Sequence, residues 1–387
     1  MPVSDPIRAL VEDARHWRHE LHKIPELQYD VKKTAKYIAD RLHAFGCDDV
    51  KMFVGQSGVV AMVKGRLGDG PTIALRADMD ALPIEERTNL PYRSTNPGAM
   101  HACGHDGHSA MLLAAARHIA KTRAFKGTAA FVFQPAEEGG AGAKAMLEDG
   151  LVARFGIEKF FGLHNWPGMP VGSFAIRTGA IMAAADKFTI HLEGKGGHAA
   201  MPHRANDVVV AGSAIVLALQ TLVSREVDPL EPAVVSVAKF EAGAVFNVLP
   251  QSATLLGTVR TLKAATRDLL ERRLVAMAKE VAHSYGVVAQ VDYARGYPPT
   301  VNHVDETDFA ARIARHVAGE GRVDAHTAPS MGAEDFSYML EAKPGAFIFM
   351  GNGDTAGLHH PEYDFNDDAL PFGIAYWTTL VETALAP

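Results

Sequence analysis

Cysteine is almost missing from this chain: Cys47 and Cys103 are the only two among 387 residues. Two thiols cannot build a disulfide framework, so a small secreted scaffold held by bridges is excluded and a reducing, cytoplasmic setting is expected. A basic excess is missing too. Lysine and arginine number 38 against 45 acids, and 38 − 45 gives −7 with histidine neutral. Nothing in that balance would neutralise phosphates, so nucleic acid is not expected as a partner. No apolar run reads as long enough to span a bilayer, and no membrane partner is expected. The first residues, Met1-Pro2-Val3-Ser4-Asp5, show neither a basic region nor an apolar one, so no secretory leader is expected. Internal repeats, low-complexity tracts and coiled-coil heptads are lacking as well.

What is present is a globular balance, 48% hydrophobic and 21% charged, over a length that accommodates two or three domains. One stretch stands out: Met100-His101-Ala102-Cys103-Gly104-His105-Asp106-Gly107-His108. If it is extended, Cys103 and His105 point the same way, because side chains alternate with period two. A thiolate and an imidazole so placed can bind one metal ion or flank two. A glycine-rich turn with ordinary surface histidines explains the stretch equally well when it is taken alone.

Later stretches shift that balance. An apolar strand over residues 72–77 runs into Asp78-Met79-Asp80, and carboxylates at such strand ends are where open α/β sheets place their sites. A second strand, 128–133, ends in Gln134-Pro135-Ala136-Glu137-Glu138. On extended backbone the two glutamates face opposite ways, so one can serve a metal and the other a bound water. A third apolar run, 160–163, ends in His164. A fourth, 346–350, is followed by Leu358-His359-His360-Pro361. Strands alternating with helices (5–24, 31–45, one beginning near 107, and 143–151) predict a mainly parallel, doubly wound sheet. His16, His19 and His22, three apart on the first helix, read as a solvated or capping face.

The rhythm changes near residue 185. Phe188, Ile190 and Leu192 alternate like a half-buried strand, and a long apolar helix follows over 207–223. The order βαββαβ through residue 293 predicts a ferredoxin-like α+β unit. The expected division is therefore 1–185 with 296–387 as one domain and 186–295 as an inserted one. An edge strand in the inserted sheet invites pairing with another chain, and two-fold dimers are the commonest assembly.

Taken together these stretches carry a resemblance. Arg18-His19-Glu20-Leu21-His22-Lys23-Ile24-Pro25-Glu26-Leu27, Arg76-Ala77-Asp78-Met79-Asp80-Ala81-Leu82-Pro83, the 100–106 cluster, Gln134-Pro135-Ala136-Glu137-Glu138, Gly197-His198-Ala199-Ala200-Met201-Pro202-His203 and Leu358-His359-His360-Pro361 occur in family order along nearly the whole chain. The chain resembles the amidohydrolase (hippurate hydrolase) branch of the metallo-aminoacylase and carboxypeptidase superfamily. The resemblance implies a catalytic domain with a binuclear metal site, interrupted by a lid or dimerisation domain. It implies hydrolysis of the amide bond of N-acyl amino acids, with two divalent ions (Zn, Mn, Co or Ni) per subunit. It implies Cys103, His105, Glu138, His164 and His359 as ligands, Glu137 as general base, and Asp80 one layer behind the ligands. His198 and Asn247 would be substrate-facing residues of the lid. A homodimer through 186–295, possibly a tetramer, is expected. The competing readings are an aminopeptidase or dipeptidase of the same superfamily, a non-catalytic binding protein, and a hydrolase in which Cys103 is the nucleophile and His105 its base.

Overall fold

The computed structural model describes residues 5–387. Most of the segment used above to judge a leader lies outside them. Two compact units are present. One comprises residues 5–179, 301–328 and 335–387, and the other residues 180–300 and 329–334.

In chain order the first unit opens with helices α1 (Asp5–His22) and α2 (Lys32–Ala44), then strands β1 (Asp49–Val54), β2 (Gly58–Lys64) and β3 (Thr72–Asp78). Helix α3 (His105–Thr122), β4 (Thr128–Gln134), β5 (Ile157–Trp166) and β6 (Phe174–Ala175) follow. The second unit contributes β7 (Ala184–Glu193), α4 (Val208–Thr221), β8 (Ala233–Ala242), β9 (Ser252–Thr261), α5 (Ala264–Ser284) and β10 (Val288–Arg295). The chain returns to the first unit with α6 (Val304–Ala318), β11 (Val323–Asp324), β12 (Gly345–Gly351) and α7 (Leu370–Ala384).

The first unit's eight strands form one mixed sheet in the order β1-β2-β4-β3-β5-β12-β6-β11. Its centre is parallel: β3 pairs with β4 and β5, and β5 with β12. Strands buried on both faces read as continuous apolar runs, as Phe131-Val132-Phe133 and Ala346-Phe347-Ile348 do. Helix α3 is apolar on nearly every side because it is enclosed, packing on α1, α7 and the sheet. Gly107 is required within it. A Cβ there would stand 2.3 Å from the Phe365 ring.

The second unit is a four-stranded antiparallel sheet, β8-β9-β7-β10, packed on α4 and α5. This is the ferredoxin-like order. Phe188, Ile190 and Leu192 point into its core, as their alternation predicts. The run Val208–Glu226 is helical over 19 residues and matches a membrane span by length and composition, which corrects the expectation that no such run exists. Ala211, Ile215, Leu219 and Leu222 of this run lie in the unit's own core, so it is a core helix. Asp207 caps it, its carboxylate accepting from the amides of Val209 at 2.8 Å and Val210 at 3.3 Å.

Candidate metal centre

The parallel strands end level with one another. Asp78, last in β3, pairs in register with Gln134, last in β4, and His164 in β5 pairs with Phe349 in β12. The loops leaving these ends therefore meet at one edge of the sheet. Asp78 ends β3 and Asp80 follows it, Glu137 and Glu138 come from the turn after β4, and His164 from β5. His359 comes from the loop after β12. Cys103 comes from the loop entering α3, and His105 is the first residue of that helix. Gly104 between them has φ +87°, so the alternation assumed for an extended segment does not apply. The two glutamates also differ from expectation. They sit in a turn flanked by left-handed Ala136 (φ 54°) and Gly139 (φ 86°), and both reach His105. Asp80 fastens this turn, its two oxygens accepting from the amides of Glu137 at 3.0 Å and Glu138 at 3.1 Å.

Donor atoms of Cys103, Glu138 and His359 lie within 4.8 Å of one another, as do those of His105, Glu137 and Glu138. Asp78, His105, His108 and His164 form a third such group. The ring nitrogens are sorted by their second bonds. His105 Nδ1 lies 2.8 Å from the Asp80 carbonyl oxygen and His164 Nδ1 2.6 Å from that of Asn165. A carbonyl can only accept, so both rings donate through Nδ1 and present a bare Nε2. His105 Nε2 is buried without a hydrogen-bond partner, and His164 Nε2 lies 3.4 Å from Cys103 Sγ. Histidine metal ligands are held in this way, by donating the other nitrogen to a carbonyl or carboxylate. His359, with left-handed φ 65°, places Nε2 3.2 Å from Glu138 Oε1. His108 is different: Nδ1 binds Asp78 at 2.6 Å and Nε2 accepts the Asn165 amide at 2.9 Å, so neither nitrogen is left over.

The charges fit a cation. Burial opposes charge on His105, yet Asp78, Asp80 and Glu138 outweigh it and push the imidazole up to about 10. Burial, with Glu138, Glu137 and Asp78 close by, drives the Cys103 thiol far above its ordinary range. Carboxylates gathered about a thiol and an imidazole favour a positive charge between them, and a divalent ion binding the thiolate and the neutral imidazole would supply it.

The sequence matches the family described as Peptidase family M20/M25/M40 over residues 74–383. The chain belongs to this family. It is 42% identical to a hippurate hydrolase of Campylobacter jejuni, over 94% of each chain. It is 41% identical to an N-acetyl-L-cysteine deacetylase of Bacillus subtilis, over 91% of this chain and 83% of that one. Its fold superposes on a dinuclear metal binding peptidase of the M20 family from Bacillus subtilis with TM-score 0.85 and 35% identity, covering 98% and 99% of the two chains. It is thus a metal-dependent amidohydrolase, aminoacylase-like within the M20 family.

Two residues expected at this M20 site, His198 and Asn247, lie in the second unit. They meet there: Gly197–His198 pairs with Val248–Leu249, and the Ala199 amide donates to the Asn247 carbonyl at 3.1 Å. His198 is exposed, and its Nδ1 accepts the Ala200 amide at 3.1 Å, which leaves Nε2 as the donor. Asp78 was marked by its strand-end position without a specific task, and sequence reasoning gave none to His108 or Arg76. Buried Arg76 donates to Asp78 at 2.6 Å, to Gln134 at 2.8 Å and to Asp335 at 3.1 Å. The sole signal for it was an arginine inside an otherwise apolar strand. On the first helix His16 is exposed, as its spacing predicts, and the other two histidines depart from expectation. His22 is buried and bonded to Asp106 at 2.8 Å, and His19 is bonded to Asp367 at 2.8 Å.

Proposed function

We propose that this chain hydrolyses the amide bond of N-acyl amino acids, hippurate-like or N-acetyl, at two divalent metal ions held by Cys103, His105, Glu138, His164 and His359. The observation that supports it best is the convergence of these donors on one sheet edge, with the nitrogens of His105 and His164 that face away from it bound to carbonyls. The named relatives point the same way: hippurate and N-acetylcysteine are both N-acyl amino acids, and a solved relative is a dinuclear metal binding protein. A mixed set of thiolate, imidazole and carboxylate donors leaves Zn, Mn, Co and Ni all open. Ions bound there would lower the pKa of a water to about 7 and polarise the scissile carbonyl.

Glu137 is the general base. It takes a proton from the water and delivers it to the leaving amine. Asp80 positions both glutamates through their amides. His198 donates its Nε2–H to the developing oxyanion, and Asn247 beside it contacts the substrate. The working assembly is a homodimer through the second unit, which exposes Val210 and Leu217 on α4 and Phe240 and Val288 on its edge strands; pairing of dimers would give a tetramer. Two unbridged thiols suit a reducing cytoplasm.

The test is a panel of N-acetyl-, N-benzoyl- and indoleacetyl-amino acids beside unblocked dipeptides, assayed with metal-free protein and after reconstitution with each ion. Chelation is expected to abolish hydrolysis, reconstitution to restore it, and acylated substrates to outrun dipeptides. Activity that persists in metal-free protein would instead support the Cys103 nucleophile.

A further inference from the structure

Asn165 is buried directly after His164 and touches three of the histidine and cysteine elements at once. Its side-chain Nδ2 donates to the Cys103 carbonyl at 2.7 Å. Its Oδ1 accepts from the Tyr363 hydroxyl at 2.7 Å. Its backbone amide donates to His108 Nε2 at 2.9 Å, and its backbone carbonyl accepts from His164 Nδ1 at 2.6 Å. The amide orientation follows from the partners. The Cys103 carbonyl can only accept, so Nδ2 must face it, and the hydroxyl opposite then donates to Oδ1. Tyr363 and Asn165 are both fully buried, so neither bond competes with water.

Gly104 shows that the space for this contact is built in. At φ +87° a Cβ on residue 104 would lie 2.3 Å from Asn165 Nδ2 and 2.5 Å from the Tyr363 hydroxyl. The chain has its side-chain-free residue where the clasp passes. Cys103 and His164 belong to different elements, 61 residues apart, yet Sγ and Nε2 are 3.4 Å apart. Asn165 links them twice, gripping Cys103 through its carbonyl and His164 through its ring nitrogen.

We propose that Asn165, locked by the Tyr363 hydroxyl, is a positioning residue that sets the separation of Cys103 and His164 and through it the metal affinity of the centre. The inference rests on the ligand set proposed above. Loss of a group that orients a ligand typically lowers metal affinity about 10–100-fold. Tyr363→Phe keeps the ring and removes one oxygen, so Asn165 loses its anchor while the core stays filled.

The experiment measures metal affinity of metal-free wild type, Tyr363→Phe and Asn165→Ala by competition with a chromophoric chelator. Thermal unfolding of the metal-free proteins and the thiolate-to-cobalt absorption of the cobalt-loaded ones are recorded alongside. Both variants are expected to bind metal about 10–100-fold more weakly, with a displaced cobalt band, while metal-free Tyr363→Phe unfolds cooperatively. Should Asn165→Ala fail to fold, Tyr363→Phe decides alone. Wild-type affinity and an unchanged cobalt spectrum in folded Tyr363→Phe would overturn the proposal, since a merely structural pair lowers thermal stability and leaves the metal untouched. Failure of wild type itself to bind metal would overturn the ligand set instead, so the two failures are told apart.

Discussion

Glu137 and Glu138 are the same residue type one position apart, and their surroundings divide them. Burial resists ionisation of Glu138, but His359 and His105 outweigh it and hold its carboxyl below the ordinary range, as suits a ligand. Glu137 is buried and its amide is pinned by Asp80 at 3.0 Å. Glu137→Gln is nearly isosteric, so the metal content of the loaded enzyme should stay at the wild-type level while kcat falls about 10²–10⁴-fold. Elemental analysis and steady-state kinetics on one preparation check both halves, and near-normal kcat with metal in place would refute the base assignment. At this scale the sequence was legible wherever chemistry is rare. A cysteine, two histidines and paired glutamates at strand ends are conspicuous against an apolar background. Asn165 and Tyr363 were not visible, because a buried amide and a buried phenol look like any others until their partners are known. Gly104 was noticed, but what its missing Cβ makes room for could not be read without the fold.

Helices and strands were legible through period, and their contacts were not. The helical spacing of Ile7, Leu10, Val11, Ala14, Trp17 and Leu21 predicts the first helix, and all of them but half-buried Val11 lie in the core. Its histidines, three apart, read as a solvated or capping face because ionisable side chains usually are exposed, and nothing in the spacing separates Arg18 from them. Instead Arg18 and His22 are fully buried, with Arg18 3.5 Å and His22 2.8 Å from Asp106, the second residue of α3. Partners more than 80 residues away leave no local trace. The pair ties α1 to the start of the helix that carries His105. Burial works against a charge on His22, but Asp106 and Glu86 outweigh it and push the imidazole up from 6.5 to about 9. Burial likewise opposes the Glu86 charge, and the imidazole of His22, the Thr88 hydroxyl and the Ser94 amide bring its carboxyl down from 4.5 to about 2. A raised histidine stabilises fully below its unfolded value and loses that as pH rises through the folded one. A depressed carboxyl stabilises above its unfolded value and loses that as pH falls. The His22–Glu86 contact is therefore strongest between about pH 4.5 and 6.5. Urea unfolding of wild type and His22→Gln should differ most at about pH 6 and converge above about pH 9. An equal difference at both pH values would show that His22 is not charged in the fold.

For the whole molecule, composition excluded more than it identified, and the motif order along the chain supplied the family. Assembly is the least legible property, since apolar residues exposed on one unit of a single chain do not name their partner. In the second unit Leu217 is 72% and Phe246 97% exposed, and β8 and β10 are free sheet edges within their own sheet. A closed two-fold contact would cover such a surface. His198 supplies the functional reason to expect one. Its Nδ1 accepts the Ala200 amide, which leaves Nε2–H as the donor, on a short strand pair far in sequence from every proposed ligand. We propose that this donor enters the partner subunit's site and meets the developing oxyanion there. Loss of one such donor costs about 10²–10³-fold in kcat, so His198→Ala alone should be nearly inactive, as should Glu137→Gln alone. Mixing the two tests the assignment across the interface. A heterodimer then holds one site with wild-type Glu137 from one subunit and wild-type His198 from the other, and its second site lacks both. Activity should rise with subunit exchange toward half the wild-type value per heterodimer. If exchange is verified by native mass measurement and activity stays at the level of the separate variants, His198 serves its own subunit or stands outside catalysis.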